Sequence, residues 1–390
     1  MLKQIQTLID ENYEEMISIR RYLHQNPELS NQEYKTAKYI ADFYTDLGIP
    51  YEKNVGGNGV VATLKGGKPG KTVALRADFD ALPIQDEKDV PYKSQVPGVM
   101  HACGHDAHTA SLLVLAKVVN EFQADLPGTI VFVHQHAEET PPGGAKPITE
   151  TGILDNIDAI YGNHFWSLTD VGKVETRAGG FMAGADAFNI QIKGAGGHGA
   201  YPHQTKDSIV IGANLVTQLQ TIISRKLNPI QTAVLTVGQF NSGTAFNIIA
   251  DQAELIGTVR YFDLDVQTQI IKEMQQLIDG IEKINNIEIN FDYQKGHPPV
   301  INHELETNNV FAAAKHIPEV NEACESLPQM AAEDFSYYLQ HKPGAFFFTG
   351  AKKEDNVYPH HHPMFDIDEQ ALPIAAKVLI GAYFETQNNE

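Results

Sequence analysis

At 390 residues the chain exceeds what one hydrophobic core usually organises, so two domains are expected. Its apolar fraction of 42% is ordinary, and no stretch approaches the ~18 to 20 uninterrupted apolar residues of a membrane span. A formal charge of −20 argues against nucleic acid and anionic membrane as partners, since both require basic patches.

In chain order, residues 3 to 24 and 31 to 47 space apolar side chains at helical intervals. Ser30 is expected to N-cap the second helix, with Glu33 as its capping-box partner. Acids spread through the first segment leave no signal-peptide pattern, which predicts a cytoplasmic protein. Residues 60–64 and 72–75 read as strands separated by a Gly-Gly-Lys-Pro-Gly turn. A buried helix over 109–120, a strand over 129–134, a short helix over 145–151 and a strand over 159–164 follow. This alternation predicts an α/β fold, a layered α/β/α domain whose sheet has helices on both faces and ligands beyond the carboxyl ends of its strands.

A different order occupies the next segment. Strands at 187–192, 232–237, 253–260 and 287–293 interleave with helices at 208–223 and 266–281, matching the ferredoxin-like α+β arrangement. We therefore expect an inserted domain over 183–295, with 1–182 and 296–390 forming the first domain. Elements at 305–316, 335–339, 345–349 and 369–384 complete that domain.

Chemistry concentrates in Met100-His101-Ala102-Cys103-Gly104-His105-Asp106-Ala107-His108. Thiolate, imidazole and carboxylate are the ligands of borderline divalent metals, and Cys103 and His105 can face one ion from a bend entering a helix. Alone, Cys103 could equally be a small buried hydrophobe. Glu138-Glu139 could be a solvated loop pair, His164 a core histidine, and His360-His361-His362 a surface loop. Together these clusters point to a metalloenzyme whose site closes by tertiary folding. With two cysteines, Cys103 and Cys324, the chain is not a disulfide scaffold.

The motifs RRYLHQNPELSNQE, LRADFDALP, MHACGHDAHTA, HQHAEE, GGHGAYPH, FNIIAD, GTVRYFD, AAEDF and the late HHP occur in one order along nearly the whole chain. In this the sequence resembles the amidohydrolase branch of the aminoacylase and carboxypeptidase-G-like metallopeptidases. That branch includes hippurate hydrolases, indoleacetyl-amino-acid hydrolases and N-acetyl-diaminopimelate deacetylases. The resemblance implies two divalent ions, Mn or Zn with Co or Ni as further choices, held by Cys103, His105, Glu139, His164 and His361. It implies Glu138 as general acid/base on a metal-activated water and His198 as donor to the oxyanion. Asn247 and Arg260 would hold a substrate carboxylate, although Arg260 could instead pair with Asp263 or another acid. Asp80 would orient a ligand imidazole. His203 and Glu333 also match family motifs, with their roles open. The chain departs from most peptidase branches in having Asp78-Phe79-Asp80 where they carry His-x-Asp. The implied activity is hydrolysis of N-acyl-amino acids, small-molecule partners. A metallo-dipeptidase or aminopeptidase on the same centre and a non-catalytic metal-binding protein are the alternatives, and a homodimer through the inserted lid domain is compatible with the sequence.

Overall fold

The structure is a computed structural model and describes residues 1–388. Two compact units divide it: Met1–Phe181 with Ile301–Leu327 and Asp334–Glu390, and Met182–Val300 with Pro328–Glu333.

The first unit is built on an eight-stranded mixed sheet. Its strands are β1 (Tyr51–Val55), β2 (Gly59–Lys65), β3 (Lys68–Asp78), β4 (Pro127–Gln135), β5 (Ala159–Trp166), β6 (Lys173–Thr176), β7 (Glu322–Glu325) and β8 (Gly344–Gly350), in the spatial order β1-β2-β4-β3-β5-β8-β6-β7. The central strands β4, β3, β5 and β8 run parallel. They read as almost unbroken apolar runs because both faces are covered. Ala345 and Phe347 of β8 face the larger core with helices α1 (Leu2–Glu11), α2 (Tyr13–Gln25), α3 (Tyr34–Leu47), α4 (His105–Asn120) and the C-terminal helix Ala371–Asn388. Phe346 points the other way, as strand alternation requires, onto Phe335 at 4.9 Å beside the helix Ser336–Leu339. The layered α/β/α expectation holds. Every residue of α4 except Lys117 and Asn120 is buried, so its apolar residues surround it rather than forming a stripe.

The second unit has a fully antiparallel sheet. Its strands Gly184–Lys193, Ala233–Ser242, Gln252–Tyr261 and Glu288–His297, numbered along the chain, lie in the order 2-3-1-4. That is the ferredoxin-like topology, with Ser208–Thr221 and Leu264–Asn285 closing one apolar core over the sheet.

Two local expectations are corrected, and an edge strand is added. The first helical segment breaks at Asn12, whose side-chain amide donates to the Leu8 carbonyl at 2.8 Å, so α1 and α2 are separate helices. β1, unmarked in the sequence, forms the antiparallel edge beside β2. The capping box also fails. Glu33, not Ser30, stands at the N-cap of α3 and makes no side-chain cap. Ser30 Oγ instead donates to Asp80, and the Glu33 carboxylate accepts from the Asn31 and Ala137 amides. Tertiary acceptors and donors outcompeted the local motif.

Candidate metal centre

The cluster lies at the carboxyl ends of β3, β4 and β5, where an α/β sheet presents its ligands. Helix α4 begins at His105, four residues before the expected start, so Cys103 and His105 flank the helix entry. Gly104 between them has φ +89°, a left-handed turn that disfavours any side chain.

Three overlapping groups of donor atoms, each within 4.8 Å, bring the candidates together: Cys103, His105 and His164; Cys103, Glu139 and His361; and His105, Glu138 and Glu139. Behind them, neighbouring groups set the ring orientations, and the tautomers are assigned from these partners. His105 Nδ1 lies 3.1 Å from Asp80 Oδ1 and 3.0 Å from the Asp80 carbonyl. His164 Nδ1 donates to the Phe165 carbonyl at 2.8 Å, leaving Nε2 3.3 Å from Cys103 Sγ. Asp80 Oδ2 also accepts the Glu139 amide at 3.1 Å, so one carboxylate orients one candidate ligand and anchors another.

The consecutive histidines have separate surroundings. His361 has φ +65°, donates its amide to the Ala102 carbonyl at 2.8 Å and places Nε2 3.2 Å from Glu139 Oε1. A non-glycine residue in this region carries strain of order 1 kcal/mol or more, which the surrounding structure must offset. His360 is half-buried and stacks against His164, ring centroids 5.0 Å apart, with Nε2 donating to the Phe165 carbonyl. His362 stacks on Tyr358 and accepts the Met364 amide.

Asp78 and His108, named in the sequence motifs, were given no role there. His108 Nδ1 lies 2.5 Å from Asp78 Oδ1, and its Nε2 accepts the Phe165 amide, so both nitrogens are engaged. Arg76, wholly buried, clamps Asp78 Oδ2 at 2.6 Å, Gln135 and Asp334. The available signal was spacing: His108 follows His105 by three residues on one helix face, and Arg76 and Asp78 share one side of a strand.

His105 Nε2 is buried without a hydrogen-bond partner among the described residues, with Asp78 Oδ2 at 3.7 Å and Glu139 Oε1 at 3.9 Å. Glu139 Oε1 likewise makes no hydrogen bond of acceptable geometry, though His361 Nε2 is close. Such orphaned atoms on facing donors suit a cation. Protonation points the same way. Burial and the Glu139, Glu138 and Asp78 carboxylates push the Cys103 thiol well above its ordinary value. Burial disfavours charge on His105, but Asp78, Asp80 and Glu139 outweigh it and raise its pKa to about 10.

The remaining sequence candidates belong to the second unit. His198 is exposed on the two-residue strand Gly197–His198, its Nδ1 accepting the Ala200 amide. Asn247 is exposed, its carbonyl accepting from Gly199 at 2.9 Å. Arg260 is half-buried and makes no ion pair among the described residues. It donates to the Val259 carbonyl and Thr258 Oγ1, while Asp263 caps the helix Leu264–Asn285. His203 is exposed and Glu333 buried. Both cysteines are free. Among the described residues no helix is long and apolar enough to cross a membrane.

Residues 74–384 match the model of peptidase family M20/M25/M40. The chain is 42% identical over 358 residues to an N-acetyl-L-cysteine deacetylase of Bacillus subtilis, covering 92% of this chain and 85% of that protein. It is 44% identical over 302 residues to an N-acyl-L-amino acid amidohydrolase of Geobacillus stearothermophilus, covering 77% and 82%. The crystal structure of the Bacillus subtilis YXEP protein, described as a dinuclear metal binding peptidase of the M20 family, superposes with a TM-score of 0.86 at 32% identity, covering 98% of this chain and 100% of that one.

Proposed function

The chain belongs to peptidase family M20/M25/M40, and from that premise we propose that it is a metal-dependent amidohydrolase cleaving the amide bond of N-acyl-amino acids. The observation that carries the reading is the meeting of Cys103, His105, Glu139, His164 and His361 with Glu138 in overlapping donor groups. Those five residues would hold two divalent ions, and the dinuclear relative supports that number. Thiolate, imidazole and carboxylate together admit zinc or manganese. Held there, divalent ions would supply a water of pKa lowered toward ~7 and polarisation of the scissile carbonyl. Glu138 takes the proton of the attacking water and passes it to the leaving amine, which requires that it bind no metal. Asp80 keeps His105 turned toward the site, and the His360 ring beneath His164 holds that imidazole in place.

For His198 as oxyanion donor, and for Asn247 and Arg260 as carboxylate partners, the support is the motif resemblance of the second unit. Their kinetic signatures are distinct: His198→Ala lowers kcat, whereas Arg260→Ala raises KM for substrates with a free carboxylate. The same unit is our candidate for a lid and for a homodimer contact.

The test is a panel of N-acetyl-, N-benzoyl- and indoleacetyl-amino acids beside free dipeptides, with metal-stripped protein reloaded with Mn²⁺ or Zn²⁺. Metal-dependent turnover of the acylated amino acids is expected. Preference for free dipeptides would make the protein a peptidase, and no turnover by loaded protein would make it a metal-binding protein.

Metal affinity is expected to rise with pH. Cys103 and His105 hold protons at neutral pH in the metal-free protein, and an ion must displace them to bind. Protons released on binding make the apparent affinity climb as pH increases, by ~1 to 2 log units per pH unit around neutrality. Zinc titrations at several pH values, with acidification followed in unbuffered solution, check this. A pH-independent affinity would remove both residues from the ligand set.

A further inference from the structure

Glu138 and Glu139 lie just past the end of β4 at Gln135, where continued strand alternation would send neighbouring side chains to opposite sides. The alternation is broken at Ala137, which has φ +52°. Alanine disfavours that left-handed region, so a contact outside the bend must hold it there. The contact is Glu33. Its Oε1 accepts the Ala137 amide at 2.9 Å, 104 positions away in sequence, and the Asn31 amide at 2.8 Å. Its Oε2 accepts from Asn58 Nδ2 at 2.8 Å, and the residue is 0% exposed. The far side of the bend is fixed from the same loop, because the Asp80 oxygen that accepts the Glu139 amide also accepts from Ser30 Oγ at 2.7 Å. Ser30 and Glu33 thus anchor both flanks of the glutamate pair.

We infer that Glu33 is a positioning residue which, through the Ala137 amide, sets the bend that turns Glu138 and Glu139 together toward the candidate metal site. The inference rests on the proposed roles of Glu138 as base and Glu139 as ligand. If Glu33 served only to staple its own loop through Asn31 and Asn58, its loss would cost stability without moving the bend.

The test pairs Glu33→Ala with Ala137→Gly, since glycine adopts left-handed backbone without help. Zn²⁺ affinity is read by competition with a chromogenic chelator, and kcat and KM on the best N-acyl-amino acid at saturating metal. Glu33→Ala is expected to weaken metal binding ~10-fold and to lower kcat ~30- to 100-fold with little change in KM, the range seen when a ligand's supporting partner is removed. Adding Ala137→Gly should restore ~10-fold of the kcat loss, and Glu33→Gln, which keeps an acceptor oxygen, should stay within ~3-fold of the parent. If Glu33→Ala does not fold by circular dichroism, Glu33→Asp keeps the charge but falls a methylene short of Ala137 and takes its place. Unchanged affinity and kcat, or no rescue by Ala137→Gly, overturns the inference. A parent protein that turns over nothing defeats the amidohydrolase reading instead, and the affinity measurements alone then decide the role of Glu33.

Discussion

Glu138→Gln is expected to lower kcat by ~10²- to 10⁴-fold, the contribution of a positioned general base, while metal content and KM stay near those of the parent. The amide is nearly isosteric and can still accept a hydrogen bond, but it cannot take the proton of the attacking water. Glu139→Gln should behave differently. It removes a charged donor that lies with Cys103 and His361, so the loss should appear as metal released on dialysis. Measuring bound metal by atomic absorption alongside kcat separates the two. Turnover undiminished in Glu138→Gln would place proton transfer on another group, and metal lost from that variant would make Glu138 a ligand.

The largest expected effect on stability is at Arg20. Its guanidinium is fully buried and donates to Asp106 at 3.0 Å, Asp366 at 2.7 Å and Glu369 at 3.1 Å. Burial alone would raise the pKa of Asp106 and Asp366, but Arg20 and further donors outweigh it and hold both carboxyls well below the ordinary range. Asp106 belongs to the first turn of α4 beside His105, and Asp366 to the segment that follows His361, so one side chain ties together two parts of the candidate site. Arg20→Met should cost ~3 to 5 kcal/mol, because two buried carboxylates lose their main counter-charge. Arg20→Lys should recover only part of this, since an ammonium cannot reproduce the three-way fork. The sign with pH is set by the carboxylates. In the parent their depressed pKa values contribute stability above about pH 4 that is lost as pH falls. In Arg20→Met those pKa values move up, so protonation relieves the variant and its deficit narrows between pH 7 and pH 4. Urea unfolding at both pH values checks this, and a deficit that widens toward pH 4 would contradict it.

Legibility in the sequence followed the range of the interaction. Strands such as Ala159–Trp166 and Gly344–Gly350 were readable because burial on both faces demands apolar runs, and the ferredoxin-like order of the second unit because strand and helix periods differ. The Ser30 and Glu33 pattern misled because a local capping motif competes with any partner that folding brings near, and here Asp80 and Ala137 won. The pairing of Asp78 with His108 went unassigned because nothing local distinguishes a carboxylate bonded to a buried imidazole from an ordinary strand-end acid.

By itself the sequence determined the layered α/β class, the antiparallel insertion and the inventory of soft and borderline metal donors, since these depend on composition and short periods along the chain. Resemblance across the ordered motifs pointed to the family. Only the tertiary structure decided which donors face one another, that the three consecutive histidines serve three different neighbours, and that the loop carrying Ser30 and Glu33 bonds to Asp80 and to the Ala137 amide beside the glutamate pair. Apart from the His362 stack on its near neighbour Tyr358, those facts rest on contacts between residues tens to hundreds of positions apart, and such contacts are set by how the sheet and helices pack.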